Sequence, residues 1–219
     1  MALLQTVRIY LLVTFMALPI LLIGFTGIFS LGMSNMGLFM LFLAQTIVLP
    51  SIIMILQFVM SYIPWVKVWS EVPSSQLCQL IPSAHRESYM NVAPSFWISQ
   101  VVLFMVYMFY NALSIYNTSA GTNSDPAKVS NRKSRTLSVM IMVPIAMIVL
   151  LVLRYSLVKG CETFYGSILS VVLSTAFAIS WYNFASLCGA RDSDTFGIVS
   201  GMMPPGATDP PPTMCVYSK

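Results

Sequence analysis

Two apolar stretches decide the fold: TLSVMIMVPIAMIVLLVLRYSLV at residues 136–158 and TFYGSILSVVLSTAFAISWYNFASL at residues 163–187. Each is long enough to cross a bilayer as a helix, which takes about 20 mainly apolar residues. The polar sequence Lys159-Gly160-Cys161-Glu162 lies between them. Because glycine and polar residues favour chain reversal, the two stretches predict a transmembrane helical hairpin.

The second stretch has a small residue at every fourth position. These residues are Gly166, Ser170, Ser174 and Ala178. Residues four apart lie on one face of a helix, and small side chains on such a face allow another helix to approach closely. The pattern therefore predicts a helix-packing face.

The composition agrees with a membrane protein. Charged residues make up 8% of the chain and hydrophobic residues 57%, whereas about 25% of an ordinary soluble domain is charged. A chain of this composition has too few polar side chains to cover a water-exposed surface. We therefore predict an all-α, multi-span integral membrane helix bundle in a lipid bilayer.

Three further charge-free stretches precede the hairpin and predict three more spans. Glycines and Asn35 within residues 31–37 indicate a turn between the first two. Residues 117–135 are polar and predict a loop before the hairpin. Residues 1–188 then form the bundle, and residues 189–219 form an extended, Pro-rich tail. The five predicted spans are residues 9–30, 38–62, 96–116, 136–158 and 163–187.

A basic cluster immediately precedes the hairpin, at Arg132, Lys133 and Arg135. Basic residues next to a span favour the cytoplasmic side and attract anionic lipid headgroups. We predict that this cluster sets topology and contacts headgroups. Nucleic acid phosphates are an alternative partner, but the lipid interpretation is simpler, so no specific nucleic acid is expected.

With five spans, Cys188 and Cys215 share one side of the membrane, and the two remaining cysteines share the opposite side. These are Cys78 and Cys161. In an oxidising compartment they can form a disulfide between the long loop and the hairpin turn. Free thiols at both positions are the alternative, because the sequence does not give the distance between them.

The sequence has no recognisable catalytic motif, so we do not expect an enzyme. His85 is the only histidine and has no ligand partners at metal-binding spacing. No metal or cofactor is therefore expected. The predicted spans contain no Asp, Glu, Lys, Arg or His except Arg154, and we expect its side chain to extend to the membrane interface.

Five side-chain amides lie within the predicted spans and favour hydrogen bonds between helices. Interior prolines are compatible with kinks in such helices. Together they leave a small channel or carrier as the alternative to a structural protein. The amides are Gln45, Gln57, Gln100, Asn111 and Asn183, and the prolines are Pro19, Pro50 and Pro144.

The tail contains SGMMPPGATDPPP at residues 200–212 and ends in CVYSK. This tail, together with the Met-rich multi-span body, resembles membrane-embedded minor capsid proteins of large icosahedral nucleocytoplasmic DNA viruses. The resemblance implies a structural protein of the virion internal membrane, derived from a host membrane, which links the bilayer to a protein shell.

A proline-rich segment is already extended and loses less conformational entropy when it binds. We therefore expect the tail to bind other membrane or capsid proteins. The sequence is also compatible with an oligomer of this chain. The tail residues assigned to partner binding are Pro204, Pro205, Pro210, Pro211, Pro212 and Tyr217.

Overall fold

The computed structural model describes residues 10, 13–33, 35–64, 66, 71–73, 89–91, 93–118, 126–157 and 161–190. Over these residues the fold is all-α, with six α-helices and one short β-ribbon. The helices are α1 (Leu18–Met33), α2 (Met36–Leu43), α3 (Leu49–Ser61), α4 (Phe96–Asn117), α5 (Pro126–Leu157) and α6 (Phe164–Ala185).

The β-ribbon consists of β1 (Glu71–Pro73) and β2 (Tyr89–Asn91), which pair antiparallel with Val72 opposite Met90. Two π-helical turns complete the described elements. Ala44–Val48 joins α2 to α3, and Ser186–Ala190 follows α6.

Four segments are long and apolar enough to cross a membrane. They are Met36–Ser61, Phe96–Asn117, Val129–Leu157 and Phe164–Cys188. The first of them combines α2, the π-turn and α3. The helix α1 is also apolar but has only 16 residues. Residue 10 and residues 13–16, which precede it, are helical too, and Ala17 N donates to Val13 O at 3.0 Å. Residues 1–9 lie outside the described part of the chain.

The turn between α1 and α2 is shorter than the predicted 31–37. The reason is Asn35, whose Oδ1 accepts hydrogen bonds from Gly37 N at 2.9 Å and Leu38 N at 3.2 Å. An asparagine in this position replaces the helical acceptors that the first turn of α2 lacks. The next helix can therefore begin almost at once.

The π-turn lies immediately before Pro50, which provides a physical reason for it. Leu49 N donates to Ala44 O, five residues back. In the same i to i+5 pattern, the carbonyl of Gln45 would accept a hydrogen bond from the N–H of residue 50. Residue 50 is a proline, which has no N–H. The carbonyl of Gln45 is thus left without a helical donor and is free to accept a bond from another helix.

The central helix of the fold is α4. It packs mainly against α5 and α6. Of the 18 residues that form its apolar stretch, 56% are buried within the protein, compared with 11% for the corresponding stretch of α5. Trp97, Val101 and Tyr107 on α4 are almost completely buried. The core therefore surrounds α4, whereas α5 presents most of its apolar side chains outwards.

The predicted loop at 117–135 is wrong in its second half, because α5 already begins at Pro126. Arg132, Lys133 and Arg135 therefore lie on a helix that continues into the apolar segment. Proline is favourable in the first turn of a helix, and lysine and arginine are good helix formers. The change from polar to apolar residues predicted where the membrane segment begins, but the helix itself begins earlier, at Pro126.

The four small residues of α6 are all buried, and they line the side of α6 that faces the start of α4. A Cβ atom placed on Gly166 would lie 3.1 Å from the Cβ of Ala93. Further along the same face, the ring of Tyr182 meets the ring of Tyr107 edge to face, with centroids 5.2 Å apart. The small-residue face is therefore covered by α4 of the same chain.

Candidate functional site

A buried ion pair lies where α5 and α6 meet at the hairpin turn. Arg154 Nη2 donates to Glu162 Oε1 at 3.0 Å, and Arg154 Nε donates to the same oxygen at 3.2 Å. Both side chains are only 4% exposed. The extension of Arg154 to the membrane interface stays a prediction, whereas its pairing with a carboxylate of the turn was not predicted from the sequence.

Ser95, immediately before α4, connects this ion pair to the small-residue face of α6. Its hydroxyl donates to Glu162 Oε1 at 2.8 Å, and its backbone N–H donates to Ser170 Oγ at 2.6 Å. Ser170 in turn donates to Gly166 O within α6. The start of α4 is thus joined to the hairpin turn and to the start of α6, which lie 67 and 75 residues further along the chain.

Trp97 packs against the guanidinium group. The Cζ atom of Arg154 is 5.0 Å from the centre of the Trp97 ring, which is within the range of a cation–π interaction. The indole N–H of Trp97 donates to Phe15 O at 3.1 Å. The charge on Arg154 is therefore balanced by a carboxylate and an aromatic face, and the cluster also holds the segment that precedes α1.

Burial raises the pKa of the Glu162 carboxyl, and the nearby Arg154 and the Ser95 hydroxyl act in the opposite direction. The cause is desolvation, since a charged carboxylate loses its hydration when it is surrounded by protein. Among the described residues, the cluster combines a carboxylate, a guanidinium group and a serine hydroxyl, which is the composition of a structural ion pair.

A second polar cluster lies within the helices, at the π-turn. Gln100 Nε2 on α4 donates to the free Gln45 O at 2.7 Å, and Thr26 Oγ1 on α1 donates to Gln45 Oε1 at 2.8 Å. All three side chains are completely buried. These bonds hold three helices together at the level of the π-turn.

Other polar side chains in the apolar helices also bond to backbone carbonyls of neighbouring segments. Tyr107 OH donates to Gly37 O at 3.1 Å, Trp181 Nε1 to Met40 O at 2.9 Å and Gln57 Nε2 to Pro94 O at 2.9 Å. Asn111 is fully buried, whereas Asn183 is exposed. Gln45, Gln100 and Asn111 are thus buried and Gln57 is half-buried. The bonds of Gln45, Gln57 and Gln100 join different segments.

The basic cluster lies at the α4–α5 connection. Arg132 Nη2 donates to Thr118 O at 2.7 Å, and Lys133 Nζ is 5.9 Å from the centre of the Tyr116 ring. These contacts hold two of the three basic side chains against the end of α4. Contact of Arg132, Lys133 and Arg135 with lipid headgroups stays a prediction.

Cys161 is disulfide-bonded and Cys188 is a free thiol. The two remaining cysteines, Cys78 and Cys215, lie outside the described residues, so the pairing of Cys161 with Cys78 stays a prediction. His85 and the tail residues Pro204, Pro205, Pro210, Pro211, Pro212 and Tyr217 also lie outside the described part. Among the residues that the structure describes, no group of three or more His, Cys, Asp and Glu side chains could hold a metal ion.

The sequence did not predict Glu162 or Ser95 as members of a site. The available signal was the opposite charge of Arg154 and Glu162 on the two sides of a predicted hairpin turn. No comparable signal connects Ser95 to Glu162, since they are 67 residues apart. The two clusters together can hold helices in register.

Comparison with protein-family models, curated proteins and solved structures finds no match to this chain.

Proposed function

We propose that this protein is a structural integral membrane protein with five membrane-crossing segments. Four of them are the long apolar segments described above, and α1 with the residues before it supplies the fifth. The observation that carries the proposal is the use of buried polar groups: Gln45, Gln100 and the Arg154–Glu162 pair all bond between segments of the chain. Such groups fix helix positions and so suit a rigid scaffold.

Membrane insertion is tested by expressing the full chain with microsomes and extracting them at alkaline pH. The chain stays in the pellet if it is integral. Single cysteines placed in the connections between the segments and labelled with an impermeant reagent then count the crossings. Five spans put residues near 120 and near 160 on opposite sides of the membrane, and labelling of both from the same side would contradict the proposal.

We further propose that the protein belongs to the internal membrane of a large icosahedral DNA virus and connects that bilayer to the protein shell. The Met-rich multi-span body and the Pro-rich tail support this role through their resemblance to membrane-embedded minor capsid proteins. In this proposal the exposed apolar face of α5 contacts lipid, and the tail binds a membrane or capsid protein.

Cross-linking mass spectrometry on the intact native assembly tests this role. Cross-links from Lys219 to a shell protein are expected. A chain that lacks residues 200–219 should still insert into membranes but lose those associations. A matched variant, in which Pro204, Pro205, Pro210, Pro211 and Pro212 are replaced by alanine, keeps the tail length and tests the extended conformation. Unchanged associations in both variants would show that the tail does not bind a partner.

A further inference from the structure

A groove of about 540 Å³ lies between α5 and α6 near the hairpin turn. Its apolar walls come from Leu151 and Val152 on α5 and from Ile168, Val171 and Val172 on α6, with Ile98 of α4 also contributing. The volume lies within the range of about 300–1,000 Å³ that small-molecule sites occupy. The groove is therefore large enough to hold part of a lipid.

The groove is continuous with the apolar surface that the proposed fold exposes to the bilayer. Val152, Phe164 and Val172 line it and are 61%, 61% and 59% exposed. Water is scarce at this depth in a membrane, and an apolar cavity does not retain it. Hydrocarbon from the bilayer is the material that can fill such a groove.

The length of the groove matches one leaflet. From Phe164 at the hairpin turn to Val172, α6 rises about 12 Å at about 1.5 Å per residue. Half of the hydrocarbon core of a bilayer, which is about 30 Å thick in total, measures about 15 Å. An acyl chain with its ester end near the turn would thus extend along the groove towards the bilayer centre.

The charges at the polar end do not select a charged ligand. Arg154 and Glu162 both line the groove, but they neutralise each other through bonds of 3.0 and 3.2 Å. The described lining residues then carry no net charge, which is complementary to an uncharged hydrocarbon chain rather than to an anionic headgroup.

We propose that this groove is a binding site for one acyl chain of a bilayer phospholipid, and that it recognises the chain and not the headgroup charge. The site rests on the proposed insertion of the protein in a membrane. It gives the α5–α6 hairpin a bound lipid as an integral part of its packing.

The test uses native mass spectrometry of the full chain after reconstitution with phosphatidylcholine or with phosphatidylglycerol. One lipid per chain should persist at collision energies that remove all others, and to the same extent with both headgroups. Val172→Phe fills the groove and should lower the retained fraction by about tenfold, since the acyl chain then loses about ten van der Waals contacts with the groove walls. Ile168→Phe is a second groove-filling variant with the same expected loss.

Val59→Phe is the matched control, because Val59 is 50% exposed on α3 and does not line the groove. It should retain lipid like the unmodified chain. Equal retention by Val172→Phe and Val59→Phe would overturn the proposal, as would retention with phosphatidylglycerol only. A change of oligomeric mass in Val172→Phe without loss of lipid would assign the groove to a second copy and also overturn it. Failure of the chain to insert in liposomes would instead contradict the proposed function.

Discussion

Gln100 on α4 and Gln45 in the π-turn are joined by a bond of 2.7 Å from a side-chain amide to a backbone carbonyl. The carbonyl is available because Pro50 removes the N–H that would otherwise serve it in the π-register. A local feature of one helix, the missing donor of a proline, thus determines where a second helix bonds. This relationship leads to the first of five predictions.

Gln100→Leu should lower the free energy of unfolding by about 1–2 kcal/mol, because it leaves the buried Gln45 O without a donor. The cost should be smaller in a Pro50→Ala background, where residue 50 regains an N–H that can bond to this carbonyl. Unfolding is measured in mixed micelles for the unmodified chain, the two single variants and the double variant. The difference between the two costs is the coupling free energy between residues 50 and 100. Equal costs in both backgrounds would show that Pro50 has no part in this bond.

Replacing only Arg154 by methionine, or only Glu162 by leucine, should lower the free energy of unfolding by about 3–5 kcal/mol, because a buried charge loses its partner. The double variant Arg154→Met with Glu162→Leu should recover most of that loss, since it buries no charge. The measurement is a double-mutant cycle on unfolding in micelles. Additive losses in the double variant would mean that the two side chains act separately.

Gly166→Ala should be destabilising by about 1–3 kcal/mol through overpacking. The new Cβ would lie 2.6 Å from Thr163 Oγ1, which caps α6, and 3.1 Å from the Cβ of Ala93. Gly24→Ala is the matched control, because a Cβ there meets nothing within 4 Å. It should be neutral or slightly stabilising, since alanine favours helices over glycine. Similar thermal midpoints for both variants would contradict the close approach of α6 to residue 93.

Ser170→Ala should lower the free energy of unfolding by about 1–3 kcal/mol, because the buried Ser95 N–H loses its acceptor. Ser180→Ala provides the comparison on the same helix. Ser180 is exposed and bonds only to the backbone of its own helix, so its replacement should change stability by less than about 0.5 kcal/mol. The bond between Ser95 and Ser170 has no energetic role if the two variants unfold alike.

Cys161→Ser should change the mobility of the chain on non-reducing gels, because Cys161 is disulfide-bonded. Cys78→Ser should produce the same change if the two form the bond across one side of the membrane. Cys188→Ser should migrate like the unmodified chain, since Cys188 is free. A change caused by Cys215→Ser, with none from Cys78→Ser, would identify the other cysteine as the partner.

Much of the fold could be predicted from residue patterns alone. Long charge-free stretches indicate membrane helices because unpaired charges are costly in lipid, and this reasoning places α4 within one residue of its observed end. The same reasoning fails at Pro126, since a helix can continue from lipid into the polar region. It also fails to predict the π-turn, which depends on the backbone register around Pro50.

The candidate site was less accessible to prediction. The small residues of α6 follow from their four-residue spacing, but their partner, α4, does not. Arg154 was expected at the interface because it lies near the end of a span, and sequence distance alone could not show that Glu162 points back to it.

The sequence by itself determined that this chain has long apolar helices, a helical hairpin at residues 136–187 and a face of small residues on α6, because solvation and helical periodicity depend on residue type and spacing. Only the tertiary structure decided which groups pair: Arg154 with Glu162 and Ser95, and Gln100 with the carbonyl of Gln45. The physical reason is that hydrogen bonds and ion pairs act over a few ångströms, and only the folded chain brings groups from distant segments within that range.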